Sequence, residues 1–147
     1  MANFNFTVNV SEQGPKINAA LGVNGSSPLT VLDLGKAVSL AAGNNYVVAS
    51  DGDDIEGIRE SVEDVTKNGG FGFGTVYRNG RVEVQVAAAE VGTASVGSFV
   101  IAGIQIAVGT AGACMVKLGA GTAFKWRVID VISGTGVAGD TVLIERV

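Results

Sequence analysis

At 147 residues, with no histidine and one cysteine, the chain has the length of one compact domain but almost none of the side chains used for acid–base or nucleophilic chemistry near neutral pH. Ten basic against fourteen acidic residues leave a net charge of −4 with no Lys/Arg cluster, which argues against direct nucleic-acid binding. A 47% apolar composition and a mean hydropathy of +0.39 point to apolar surface hidden against another chain, yet no run of about 18 apolar residues escapes glycine or polar interruption, so no membrane partner is expected.

The N-terminus, Met1-Ala2-Asn3-Phe4-Asn5-Phe6, lacks the basic region and apolar stretch of a signal peptide, and synthesis in a cytoplasm is expected. Phe4, Phe6, Val8 and Val10 alternate with Asn5, Thr7 and Asn9, the period-two signature of a strand with one apolar face. Residues 11–28 hold both prolines and the turn-forming Asn24-Gly25-Ser26-Ser27, and read as a linker. Residues 1–28 are therefore expected to be an extended arm, and residues 29–147 a single β-rich domain.

The body opens with strand-sized segments at 29–34, 36–42 and 46–49, separated by Gly35 and by Gly43-Asn44-Asn45. Residues 55–65 are ambiguous: Ile55, Ile58, Val62 and Val65 fall at helical spacing behind a possible Asp53 cap, while the surrounding pattern argues strand. Tyr77-Arg78-Asn79-Gly80-Arg81-Val82 predicts a hairpin, because Asn-Gly supplies the positive φ angles of a type I′ turn. In that register Tyr77 faces Val82, Thr75 faces Val84, Phe73 faces Val86, and Arg78 lies opposite Arg81. Further apolar strands follow at 98–109, 113–118, 124–132 and 141–147, broken by glycine-rich turns. About ten short strands without a long helix predict an all-β fold, a compact β-sandwich or β-barrel.

Motifs that suggest chemistry fail on context. Gly134-Thr135-Gly136-Val137-Ala138-Gly139 matches G-x-G-x-x-G, but the residues after it look like strand and no acidic residue follows about 20 positions on, so a hairpin loop is the reading. Residues 92–98 mimic a phosphate loop but carry Ser98 where lysine is required. The acidic run Asp51-Gly52-Asp53-Asp54-Ile55-Glu56 offers oxygen atoms to a cation without the EF-hand pattern and reads as a solvated turn. No separation is specified for a glycosidase carboxylate pair drawn from Asp51, Asp54, Glu56 or Glu60. Cys114, among small apolar residues and with no histidine to activate it, reads as a buried hydrophobe. Neither a cofactor nor a metal is expected, and the chain reads as non-enzymatic. Two basic features remain. Arg78 and Arg81, opposed across the turn, read as solvated side chains splaying apart at a loop tip or, alternatively, as a pair relieved by a partner carboxylate, and Trp126, between Lys125 and Arg127, is expected to pack inward.

From about Leu29 onward several phrases resemble the small decoration, or cement, proteins of tailed-bacteriophage heads. They are Asp51-Gly52-Asp53-Asp54-Ile55-Glu56-Gly57 before Ser61-Val62-Glu63, then Phe73-Gly74-Thr75-Val76, then Trp126-Arg127-Val128-Ile129, and finally Gly139-Asp140-Thr141-Val142-Leu143-Ile144-Glu145-Arg146-Val147. The resemblance leaves residues 1–28 uncovered and carries no catalytic residue. It implies a β-rich capsid protein that assembles as a small homo-oligomer, a trimer in preference to a dimer, on the outer surface of the virion. There it would bind the major capsid protein lattice and brace the shell, and it favours strand over residues 55–63. The candidate partner-binding residues are Phe4, Phe6, Val8 and Val10, whose strand could add to a neighbour's sheet edge, together with Arg78 and Arg81. The alternative is a carbohydrate-binding or fibre-type recognition module on the virion surface, stacking sugars on Tyr46, Tyr77 or Trp126.

Overall fold

A computed structural model describes residues 9–11, 14–20, 31–41, 45–59 and 73–147. The protein is all-β: eleven strands are described, and the one helical element among the described residues is a 3-10 turn, Val31–Asp33. β1 (Asn9–Ser11), β2 (Gly14–Ala20), β3 (Ala37–Ala41), β4 (Asn45–Val48), β5 (Gly57–Arg59) and β6 (Phe73–Tyr77) form a six-stranded antiparallel sheet in the order β1-β2-β6-β5-β3-β4. β7 (Arg81–Val86), β8 (Phe99–Ala102), β9 (Met115–Leu118), β10 (Trp126–Val131) and β11 (Thr141–Arg146) close into a five-stranded barrel in the order β10-β11-β7-β9-β8. Closure removes the unpaired edges that an open sheet exposes.

The barrel interior is lined by alternating apolar residues, most of them β-branched. Val84 and Val86 of β7, Val142 and Ile144 of β11, and Trp126 and Val128 of β10 are all buried. Alternation on β10 is then interrupted. Val128 pairs with Ile144 but Asp130 pairs with Leu143, so Ile129 is an extra residue, a β-bulge. The bulge turns Val131 back onto the core while Asp130 stays outside. Each fully buried aliphatic side chain contributes about 1.5–3 kcal/mol.

The core extends beyond the barrel. Ala37, Ala49, Ile55 and Ile58, from β3, β5 and the segments beside them, belong to the same cluster as the barrel residues. Trp126, fully buried as its strand context predicts, donates its indole N–H to the Ile55 carbonyl at 2.8 Å, tying β10 to the chain just before β5. A smaller cluster of Val38, Tyr46 and Val76 fills the first sheet.

Two sequence expectations are corrected. Asn79-Gly80 does bend the chain, with Gly80 at φ 94°, but β6 and β7 do not pair with each other. β6 lies between β2 and β5, whereas β7 lies between β11 (antiparallel) and β9 (parallel). The turn is a corner between sheet and barrel. Asn-Gly chemistry specifies a tight chain reversal, while the ladder partners are chosen by whichever strands bury their apolar faces together. The second correction concerns 11–28, read as a linker: residues 14–20 form β2, which pairs with β6 from Lys16↔Tyr77 to Ala20↔Phe73. Pro15, which has no N–H to donate, sits just outside the pairing with β6. The ambiguous segment resolves as strand at Gly57–Arg59; residues 60–72 lie outside the described residues.

Candidate interaction surfaces

Of the residues singled out for partner binding, Phe4, Phe6 and Val8 lie outside the described residues. Val10 sits in β1, in register with Pro15 of this chain's own β2, and β1 is the outermost strand of its sheet. Arg78 and Arg81 flank the corner without opposing each other. Arg81 is in register with Glu145 of β11, its Nε 3.4 Å from Glu145 Oε1, and Arg127 Nη2 approaches the other carboxylate oxygen at 3.6 Å. Glu145 thus gives Arg81, though not Arg78, a carboxylate from within the chain. Arg81 is well exposed, so the pair is weak. The Arg78 guanidinium lies 5.6 Å from the centre of the Phe124 ring, which Arg146 also covers at 4.4 Å, and Arg146 Nη1 donates to the Arg78 carbonyl at 3.0 Å.

The acidic groups are engaged locally. In the 134–139 loop, a hairpin connection between β10 and β11 as expected, the N–H groups of Thr135, Gly136 and Val137 all donate to Asp140 Oδ2 at 2.8–3.1 Å. A dinucleotide loop would direct such donors at a phosphate; here they cradle the chain's own carboxylate. Hydrogen bonds from Thr135 first, then from Val137 and Gly136, outweigh desolvation and hold the Asp140 carboxyl below its ordinary range. The acidic run disperses. Asp51 pairs with Lys117 at 2.9 Å, Asp53 accepts from the Ser50 N–H at 2.8 Å, and Asp54 accepts from the N–H groups of Thr122, Ala123 and Phe124. For Asp54, burial raises the pKa, but those three hydrogen bonds together with Arg146 lower it overall. Glu90 does the same for Gly92 and Leu118, and its pKa is lowered by the Gly92 and then the Leu118 hydrogen bond. Among the described residues no three His, Cys, Asp or Glu side chains converge on a metal position. Cys114 is buried, and desolvation pushes its thiol up to about 12, far from a reactive thiolate.

Trp126 and Tyr46 do not offer rings for stacking on a sugar, since both are buried within the chain.

A different surface emerges where the 3-10 turn meets the long β8–β9 connection. Here the usual polarity is inverted. Asp33 and Lys36 are fully buried, with Lys36 Nζ 2.7 Å from Asp33 Oδ1. Lys36 also donates to the carbonyls of Ala107 at 2.8 Å and Thr110 at 2.7 Å, which satisfies its three donors, and Asp33 Oδ1 accepts from the Gly109 N–H at 2.8 Å. Gln105 completes the scaffold by donating to Gly103 and Met115 and accepting from the Met115 N–H at 3.1 Å. The apolar neighbours of these inward polar groups point out: Leu32 is 48% exposed, Leu34 38%, Ile104 61%, Ile106 37% and Val108 44%. Gly112 lets Ile106 lie flat over the backbone, because a Cβ there would collide with it. The sequence carries a trace of this in the alternations Leu32-Asp33-Leu34 and Ile104-Gln105-Ile106, but read alone they suggest strands with apolar faces turned inward.

Sheet, barrel and loop together define an all-β protein that exposes large apolar side chains beside a buried ion pair. No protein-family model, curated protein or solved structure matches the chain.

Proposed function

We propose that this chain is a non-enzymatic structural protein of a phage virion, which binds the outer surface of the capsid and stabilises the shell as a small homo-oligomer, a trimer rather than a dimer. The observation that carries the reading is the inverted surface: large apolar side chains held outward on a loop that a buried ion pair makes rigid. Adhesion of this kind needs shape complementarity and apolar contact, and no group that titrates near neutral pH. Sequence phrases resembling phage-head decoration proteins supply the partner, the major capsid protein lattice, and the place, the virion exterior after synthesis in the host cytoplasm. Net charge favours a protein partner over nucleic acid. β1, outermost in its sheet, supports a contribution from strand addition.

The test is the mass of the purified protein by light scattering, followed by sedimentation with empty heads of a tailed phage. A discrete oligomer that co-sediments at saturating, symmetric stoichiometry supports the proposal. A stable monomer that stays in the supernatant overturns it and moves glycan recognition to the front.

A further inference from the structure

We infer that Asn79 is a site of spontaneous covalent modification, at which the Gly80 backbone nitrogen attacks the Asn79 side-chain amide and converts the residue to aspartate and isoaspartate. The inference is independent of the capsid role.

Three observations lead there. The Gly80 N–H donates to Asn79 Oδ1 at 3.0 Å, so the nitrogen that must attack already lies against the amide group it must join. Gly80 has no side chain to shield that nitrogen, and Asn79 is exposed to the water that the reaction consumes. Finally, Arg78 and Arg81 flank the pair, and cations nearby favour the deprotonated amide and the oxyanion formed on attack.

The chemistry balances with water as the sole co-reactant. The Gly80 nitrogen gives up its proton and bonds to Asn79 Cγ, the Cγ–Nδ2 bond breaks, and ammonia leaves carrying that proton. A cyclic imide remains, which water then opens. Attack of water at Cγ restores the normal chain as aspartate. Attack at the Asn79 main-chain carbonyl carbon leaves isoaspartate, whose backbone runs through Cβ and Cγ and is longer by a methylene.

The surroundings give the longer backbone a consequence. Arg146 holds the chain on both sides of Asn79: its Nη1 donates to the Arg78 carbonyl at 3.0 Å, and its backbone N–H to the Gly80 carbonyl at 3.2 Å. The inserted methylene falls between those two carbonyls, at the corner where β6 of the sheet passes to β7 of the barrel. Isoaspartate is therefore expected to release one of the two hydrogen bonds, whereas aspartate changes only the charge.

The experiment incubates the folded full chain in mildly alkaline buffer beside the same chain unfolded in guanidinium chloride, until the unfolded chain has converted at position 79. Fragmentation mass spectrometry that distinguishes isoaspartate from aspartate locates the product, since Asn-Gly also occurs at Asn24-Gly25 and Asn68-Gly69. The expected result is aspartate and isoaspartate at position 79 of the folded chain, and no product at that position in Asn79→Gln, whose longer side chain must close a larger, less favoured ring. Folded protein that keeps asparagine at position 79 while the unfolded chain converts overturns the inference. For the consequence, the isoaspartate form is made in an Asn24→Gln/Asn68→Gln background and separated by ion exchange. It is expected to melt about 3–5 °C below freshly prepared Asn79→Asp in the same background, which carries the same charge on a normal backbone. Equal midpoints would show that the corner absorbs the methylene and would overturn the role given to Arg146.

Discussion

Lys36 and Asp33 form a completely buried ion pair, 2.7 Å between Nζ and Oδ1, that fastens a 3-10 turn early in the chain to a loop more than seventy residues away. Removing one partner leaves an uncompensated buried charge and frees the carbonyls of Ala107 and Thr110. Lys36→Met is therefore expected to cost about 3–5 kcal/mol in urea-induced unfolding. Adding Asp33→Leu should cost less than the sum of the two single changes, since the orphaned carboxylate is then gone. A loss below about 1 kcal/mol for Lys36→Met would show that the 107–110 turn is held by other contacts.

Acid should weaken the protein through its loop-capping carboxylates. Asp54, Glu90 and Asp140 all have folded-state pKa values below their ordinary ones. Their stabilisation is therefore fully present at neutral pH. It fades as pH falls from the unfolded carboxylate range of about 4 and is lost below the folded values. Thermal midpoints measured from pH 7 down to pH 3 should fall for the wild-type protein. Asp140→Asn and Glu90→Gln should start lower at pH 7 and converge on wild type in acid; parallel curves would contradict this account.

Gly136 and Gly139 share a loop and a positive φ, 87° and 89°, but differ in surroundings. A Cβ on Gly136 would run into the Ala94 carbonyl, whereas one on Gly139 meets nothing within 4 Å. Gly139→Ala should pay only the left-handed backbone penalty of about 1–2 kcal/mol. Gly136→Ala should cost clearly more, because the loop must also part from the Ala94 N–H that donates to the Gly136 carbonyl at 2.7 Å. Equal thermal midpoints for the two variants would mean that the 92–98 and 134–139 loops are not locked together.

Trp126→Phe removes the N–H that satisfies the Ile55 carbonyl. An unpaired buried carbonyl costs about 1–3 kcal/mol, and the smaller ring leaves a void that adds to it. The loss is expected in equilibrium unfolding followed by circular dichroism. In the wild-type protein, emission from this single, fully buried tryptophan should be blue-shifted and move to the red in the same transition.

Much of the barrel was legible beforehand. Val82, Val84 and Val86 alternate with charged and polar residues, and the face they share is the barrel interior apart from a partly buried Val82. Trp126 was readable as core for the same reason. The partner of β7 was not readable. Asn79-Gly80 nominated β6, but local turn chemistry acts over four residues, while β11 and β9 bring Val142, Ile144 and Val116 into the same interior. β2 is hidden in the sequence because the glycine and proline around it mask the short alternation that pairs with β6.

The apolar surface was the least legible element. The sequence by itself determined that this is a β protein with glycine-mediated turns and no histidine chemistry, because period-two patterning and residue inventory are local properties. Only the tertiary structure decided which side of Leu32-Asp33-Leu34 and of Ile104-Gln105-Ile106 faces out. Alternation defines two faces without saying which one is buried. That choice is made where Lys36 meets Asp33, Ala107 and Thr110, since a buried ammonium is tolerable only when all its donors find acceptors, and two of those acceptors lie on a distant loop.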